Sequence, residues 1–157
     1  MPLISTQARR FCAIALPWRE ALRSNATAAG WFFGVPKDPE RAVRLLQAAS
    51  LADNVDAEVE YAIAMFNGTG TPKNQPAAVA LLRKASRQGS AIAQNRLAWV
   101  LINGVGTSMD KVEGFKWHLV AKTAGKGDPE LDKQFSDLPA EERAKAEAAA
   151  KKWLGSK

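Results

Sequence analysis

Residues 57–89 read AEVEYAIAMFNGTGTPKNQPAAVALLRKASRQG, and residues 93–125 read AQNRLAWVLINGVGTSMDKVEGFKWHLVAKTAG. Set 36 positions apart, the two stretches align Ala57 with Ala93, Tyr61 with Leu97, Ala62 with Ala98 and Asn67 with Asn103. The register continues through Gly68 with Gly104, Gly70 with Gly106, Thr71 with Thr107 and Ala85 with Ala121. A fixed period in the thirties marks a stacked repeat, in which each unit buries its apolar face only against its neighbours.

Each unit reads as two helices. The first spans about 57–66 and ends at Asn67-Gly68-Thr69-Gly70. Gly68 supplies a left-handed cap, Gly70 turns the chain, and Pro72 blocks continuation. Asn74 caps the second helix, with Pro76 in its first turn, and that helix ends near Gly89. In the next unit Asp110 and Glu113 have the spacing of a capping box. Loops this short require antiparallel neighbours.

Upstream, residues 31–56 form a worn unit. Gly34 aligns with Gly70, Asp38 with Asn74, Leu46 with Leu82 and Ala49 with Ala85. Asp38-Pro39 opens a helix to about Ala52, with Val43, Leu46 and Ala49 as its apolar stripe and Ala42 and Leu45 alongside. Downstream, Asp128-Pro129-Glu130 opens a short helix to about Phe135. A last helix follows Leu138-Pro139, with Glu141 and Glu142 in its first turn and Lys151 and Lys152 at its end, as the helix dipole favours. Leu131, Phe135, Leu138 and Trp153 cap the open apolar end of the stack.

The pattern resembles the Sel-one-like repeat, a branch of the tetratricopeptide-like α/α repeats. The first clear unit carries the resemblance at Ala57, Tyr61, Ala62, Gly68, Gly70, Asn74, Ala78 and Ala85. The second carries it at Ala93, Leu97, Ala98, Gly104, Gly106, Asp110, Trp117 and Ala121. Ala62 and Ala98 stand where the family has glycine, and Thr71 and Thr107 where it has valine. The resemblance covers residues 31–127, divided as 31–56, 57–92 and 93–127, with 128–157 as the capping segment. The end of the chain, KWHLVAKTAGKGDPELD followed by a Trp-containing helix, is similar to bacterial, especially proteobacterial, members. The resemblance implies an all-α solenoid, a right-handed superhelix of helical hairpins. It implies an adaptor or scaffold for proteins, with no catalytic residues and no cofactor.

Composition agrees with helices. The 157-residue chain is 46% apolar and 24% charged, with one Tyr, one Cys and one His. It has the length for one domain with a real core. A single Cys12 excludes an internal disulfide and a multi-Cys zinc site, and a single His118 excludes a His-pair metal motif. No apolar run approaches the roughly 20 residues that span a bilayer. The net charge is +6, but residues 1–37 hold Arg9, Arg10, Arg19, Arg23 and Lys37 against Glu20 alone. The repeats are close to balanced, so the charge argues weakly for nucleic acid. The alternative reading is a basic adaptor that meets a membrane surface or nucleic acid through this Arg-rich segment.

Residues 1–30 loosely resemble a signal peptide: basic residues, the apolar FCAIALPW, then Ala26-Thr27-Ala28. Arg19, Glu20 and Arg23 interrupt that pattern, and a frayed leader with a helix from about Trp18 to Phe33 fits better. Both a cytoplasmic and a periplasmic location stay open.

The expected buried stripe of the first helix of the first clear unit is Ala57, Tyr61, Ala64 or Met65, and Gly68. Glu60, Ile63 and Asn67 then fall on another face, and Arg96, Trp99 and Asn103 are their counterparts one repeat later. These six, with Gln94 and Asn95 at the edge, are the candidate peptide-binding groove on the concave surface. Asn side chains suit an extended backbone, and Trp and Arg are frequent binding anchors. The competing reading packs Trp99 against a neighbouring helix and lets Asn103 cap its own helix end.

Other candidates are weaker. His118 aligns with Leu82 and Leu46, which are core positions, and has no nucleophile placed with it. Cys12 lacks a motif. The Gly-x-Gly pairs follow helices, whereas a phosphate loop follows a strand. Asp128, Glu130 and Asp132 lack the spacing of a calcium loop and read as a solvated first turn.

Overall fold

The computed structural model describes residues 38–156, within a compact unit that begins at Asp38. The leader, the helix expected near Trp18–Phe33, Cys12 and Gly34 lie outside the described residues. Those described form seven helices and no strand: α1 Pro39–Leu51, α2 Val55–Asn67, α3 Gln75–Arg87, α4 Ala91–Asn103, α5 Lys111–Thr123, α6 Pro129–Ser136 and α7 Ala140–Gly155.

The helices start where polar caps lie. Asp38, Asn54, Asn74, Ser90 and Asp110 each accept a bond from the backbone N–H three residues on. Each bond satisfies one of the donors that a helix start leaves orphaned. Asn54 and Ser90 move the starts of α2 and α4 two residues earlier than the apolar alignment alone implies. Gly68 and Gly104 end these helices at φ 78° and 65°. The capping box at Asp110 is only half made. The Glu113 N–H donates to Asp110 Oδ1 at 2.9 Å, but the Glu113 carboxylate turns away to accept from Arg83 Nη1 at 2.9 Å and Trp117 Nε1 at 3.3 Å.

From α1 to α5 each helix packs on the next, and α7 packs on α5 as the following helix of the stack. The core runs through the small positions Ala62, Ala78, Ala85, Ala93, Ala98 and Ala121, all fully shielded, with Val79, Leu82, Leu97, Leu101 and Phe115 between them. Small residues let the helix axes approach closely. Arg83 joins α3 to α5 across the layer of second helices, and Glu60 attracts Arg96 across the layer of first helices.

Gly70 and Gly106 set the repeat-to-repeat distance. Gly70 has φ 69°, and a Cβ there would stand 2.3 Å from the Pro39 carbonyl oxygen at the start of α1. Gly106 has φ 73°, and a Cβ there would stand 2.7 Å from Gln75 Cβ at the start of α3. Each turn thus presses its bare glycine onto the preceding unit, in a conformation that other residues also resist.

The stripes differ in part from expectation. Ala57, Ala64 and Met65 are buried, but Val59 and Ala62 are buried more deeply, and Tyr61 is only half-buried. On α1, Val43 is buried and Leu46 and Ala49 are half-buried, whereas Ala42 and Leu45 are exposed. The helix turns those two away from α2, the described helix it packs against.

The tail closes the apolar end. Leu131 and Leu138 are buried, Phe135 meets Phe115 at a tilt with 5.4 Å between ring centroids, and Trp153 meets Trp117 edge-on at 5.0 Å. Lys116 Nζ lies 4.3 Å from the Trp117 ring, a cation–π contact over the same pair.

Candidate functional site

The 36-residue period places the candidate residues in rows. On α2 the row reads Asp56, Glu60, Ile63 and Asn67; on α4 it reads Ile92, Arg96, Trp99 and Asn103. Steps of three and four residues stack each row along one helix face. Among these, Glu60 and Asn67 are exposed, Ile63 and Arg96 are half-buried, and Trp99 is 45% exposed. The face therefore shows a large aromatic ring to solvent beside polar groups.

Asn103 Nδ2 donates to the Trp99 carbonyl at 2.8 Å, capping the end of its own helix and steadying the backbone beneath the indole. Asn95 Nδ2 donates to the Lys126 carbonyl at 3.1 Å and ties α4 to the loop before α6. Gln94 departs from the expected edge position. It is 3% exposed, and its Nε2 donates to the Ser86 carbonyl at 3.1 Å. Its angle on α4 points it at α3, so it joins two repeats and is not on the face.

Charge on this face is coupled. Desolvation crowds the Glu60 carboxyl and pushes it above the ordinary carboxylate range, although the residue as a whole is exposed; Arg96 opposes the shift and Asp56 adds to it. Burial lowers the Arg96 guanidinium, while Glu60 and Asp128 hold it up. Arg96 therefore sits between carboxylates from α2 and from the loop before α6.

Sequence reasoning missed Ile92, Asp56 and Asp128 as members of this region. Ile92 is 37% exposed and lies seven residues before Trp99, on the same helical face. That spacing is visible in the sequence. The nearness of Asp128 to Arg96 comes from the loop that returns beside α4.

The other candidates resolve as structure. His118 is fully buried, as its leucine counterparts predict, and its Nε2 lies 2.8 Å from Asp132 Oδ1. Lys122 Nζ donates to the same oxygen at 2.7 Å, and His118 Nδ1 is buried without a partner. Asp128 accepts from the Glu130 N–H as a cap. Among the described residues no group of three acidic, His or Cys side chains is placed to hold a metal ion. No described helix is long and apolar enough to cross a membrane. A cleft of about 530 Å³ lies beside α1, lined by Glu40, Arg44, Gln47 and Tyr61 among others.

The family model described as Sel1 repeat matches residues 27–54, 55–90 and 91–126. Among solved structures, c5321, a protective antigen present in uropathogenic Escherichia coli strains and displaying an SLR fold, superposes with a TM-score of 0.72 at 23% identity. That match covers 77% of this chain and 27% of the antigen. A Sel1 repeat protein from Oxalobacter formigenes superposes with a TM-score of 0.56 at 29% identity, covering 66% of this chain and 41% of its own. The chain thus spans well under half of either relative. No curated protein matches it. Both structural relatives are bacterial, and a bacterial origin fits them.

Proposed function

The chain belongs to the Sel1 repeat family, and we propose on that premise that it is a non-catalytic adaptor that holds a protein partner on its first-helix face. Sel1 repeat proteins are generally protein-interaction scaffolds and generally not catalysts. The binding surface consists of Glu60, Ile63, Asn67, Asn95, Arg96, Trp99 and Asn103.

The observation that carries this reading is the exposure of Trp99 on a regular, well-capped helix. A tryptophan in the core of a small helical domain is ordinarily covered, as Trp117 is here at 3% exposure. An uncovered one with a guanidinium one turn away has the composition of an interface anchor. A peptide laid across α2 and α4 meets Ile63 and Trp99 as apolar contacts and Asn67 and Asn103 as polar ones.

The test is affinity capture with the wild type and with Trp99→Ala, whose helicity is first confirmed by circular dichroism. Loss of a wild-type partner from the folded variant supports the surface. Retention of the same partner by the variant rejects it and sends the search to the capping helix.

A further inference from the structure

Charge is divided between the two helical layers. The first helices of the hairpins, α2 and α4, carry Asp56, Glu58 and Glu60 against Arg96 alone. The second helices, α1, α3 and α5, carry Arg41, Arg44, Arg83, Lys84, Arg87, Lys111, Lys116 and Lys122 against Glu40 and Glu113. The chain as a whole is +6, so the acidic excess on α2 and α4 runs against its general charge; α7, the following helix of the stack, carries Arg143, Lys145, Lys151 and Lys152 against Glu141, Glu142 and Glu147 and does not extend it. The exposed acids of α2, Asp56 and Glu60, share the face with Ile92 and Trp99, and Asp128 borders it from the loop.

We propose that the partner segment held on this face is cationic, with a Lys or Arg side chain beside an apolar one. This rests on the adaptor reading above and adds the chemistry of the partner. The exposed indole of Trp99 attracts a cation to its ring face and also takes an apolar side chain. Three residues along α4, a rise of about 4.5 Å, separate Trp99 from Arg96, whose counterpart on α2 is Glu60. Arg96, and Lys126 on the loop that Asn95 holds, offset part of the acidic charge, and Asp56, Glu60 and Asp128 still exceed them by one. The desolvated Glu60 carboxylate gains from a further cation more than a fully hydrated one would. A polyanion, by contrast, finds its complement on the second-helix layer, on the other side of the stack.

The test presents a library of random ten-residue peptides to the immobilised full chain at physiological salt, with Trp99→Ala and Glu60→Lys run in parallel. The expected result is a set of peptides recovered by the wild type and lost with Trp99→Ala, rich in Lys and Arg over Asp and Glu. A synthetic member of that set binds Glu60→Lys roughly tenfold more weakly, the effect of about 1.4 kcal/mol. Trp99-dependent peptides that are neutral or acidic, or that bind Glu60→Lys unchanged, overturn the cationic assignment and leave the adaptor surface standing. An absence of any Trp99-dependent peptide overturns both.

Discussion

Glu58 and Gln94 occupy the same place in successive repeats, both shielded from solvent, yet they are satisfied in different ways. The Glu58 carboxylate accepts from Lys84 Nζ at 2.7 Å, and its other oxygen has no partner. Gln94 instead donates its amide to a backbone carbonyl. Lys84 also reaches Asp53 at 3.4 Å, and the Glu58 hydrogen bond holds its ammonium above the ordinary lysine range. Asp53 has φ 58° where the later repeats have Gly89 and Gly125, so this joint accepts local strain beside an ion cluster.

Removing Lys84 leaves Glu58 as a buried charge without a partner, the costly way to break such a pair. Lys84→Met lowers the thermal midpoint. Adding Glu58→Gln recovers most of the loss, because the next repeat already accepts an amide there. A double variant no more stable than Lys84→Met would show that the pair is not the cause.

The glycines separate two costs. At Gly125, φ is 75° and a Cβ would meet nothing within 4 Å, so Gly125→Ala pays only left-handed strain, about 1–2 kcal/mol. Gly106→Ala adds the collision with Gln75 and costs about 2–4 kcal/mol. Urea unfolding of both variants tests this. Equal losses would mean that the turn relaxes away from α3.

Trp99 and Trp117 give opposite outcomes. Trp117 is buried and packed on Trp153, so Trp117→Ala costs about 3–5 kcal/mol. Trp99→Ala costs about 1 kcal/mol or less and keeps native helicity, since nearly half of the residue is exposed. Circular dichroism with urea titration reads both. Unfolding of the Trp99 variant would place that ring in the core and remove the proposed anchor.

Asp132 makes stability depend on acid. Hydrogen bonds from Lys122 and then from His118 depress its folded-state pKa below the ordinary aspartate value of 3.8. A depressed carboxyl contributes stability that is complete above the unfolded value and is lost as pH falls through the folded one. The contribution is about 1 kcal/mol or less, because solvent screens this half-exposed group. Asp132→Asn is therefore less stable than the wild type at pH 6–7, and the difference shrinks as pH falls from the ordinary aspartate value through the depressed folded-state one. A gap that does not narrow at all on acidification would assign the loss to packing.

Much of this molecule was legible before its structure. The 36-residue period, the Gly pairs and the Asx caps place α1 to α5 to within two residues at the start and locate the capping helices. Such features are local: a cap, a left-handed turn and a small-residue stripe depend on neighbours in sequence. The rows Glu60-Ile63-Asn67 and Arg96-Trp99-Asn103 were also readable, because helical angle alone sets them. Gln94 was misjudged because its angle lies at the edge of the face, and there the crossing of α3 and α4 decides burial.

The helices, their order, their antiparallel stacking and the residue types on each face all follow from local sequence. The tertiary structure decided which side chains meet across repeats. It turned the Glu113 carboxylate from its cap toward Arg83, set Gly70 against Pro39 and Gly106 against Gln75, and left Trp99 in the open while covering Trp117 with Trp153. The physical reason is range. Capping and helix periodicity act within a few residues, whereas these contacts join residues about 30 positions apart and exist only once the helices have packed.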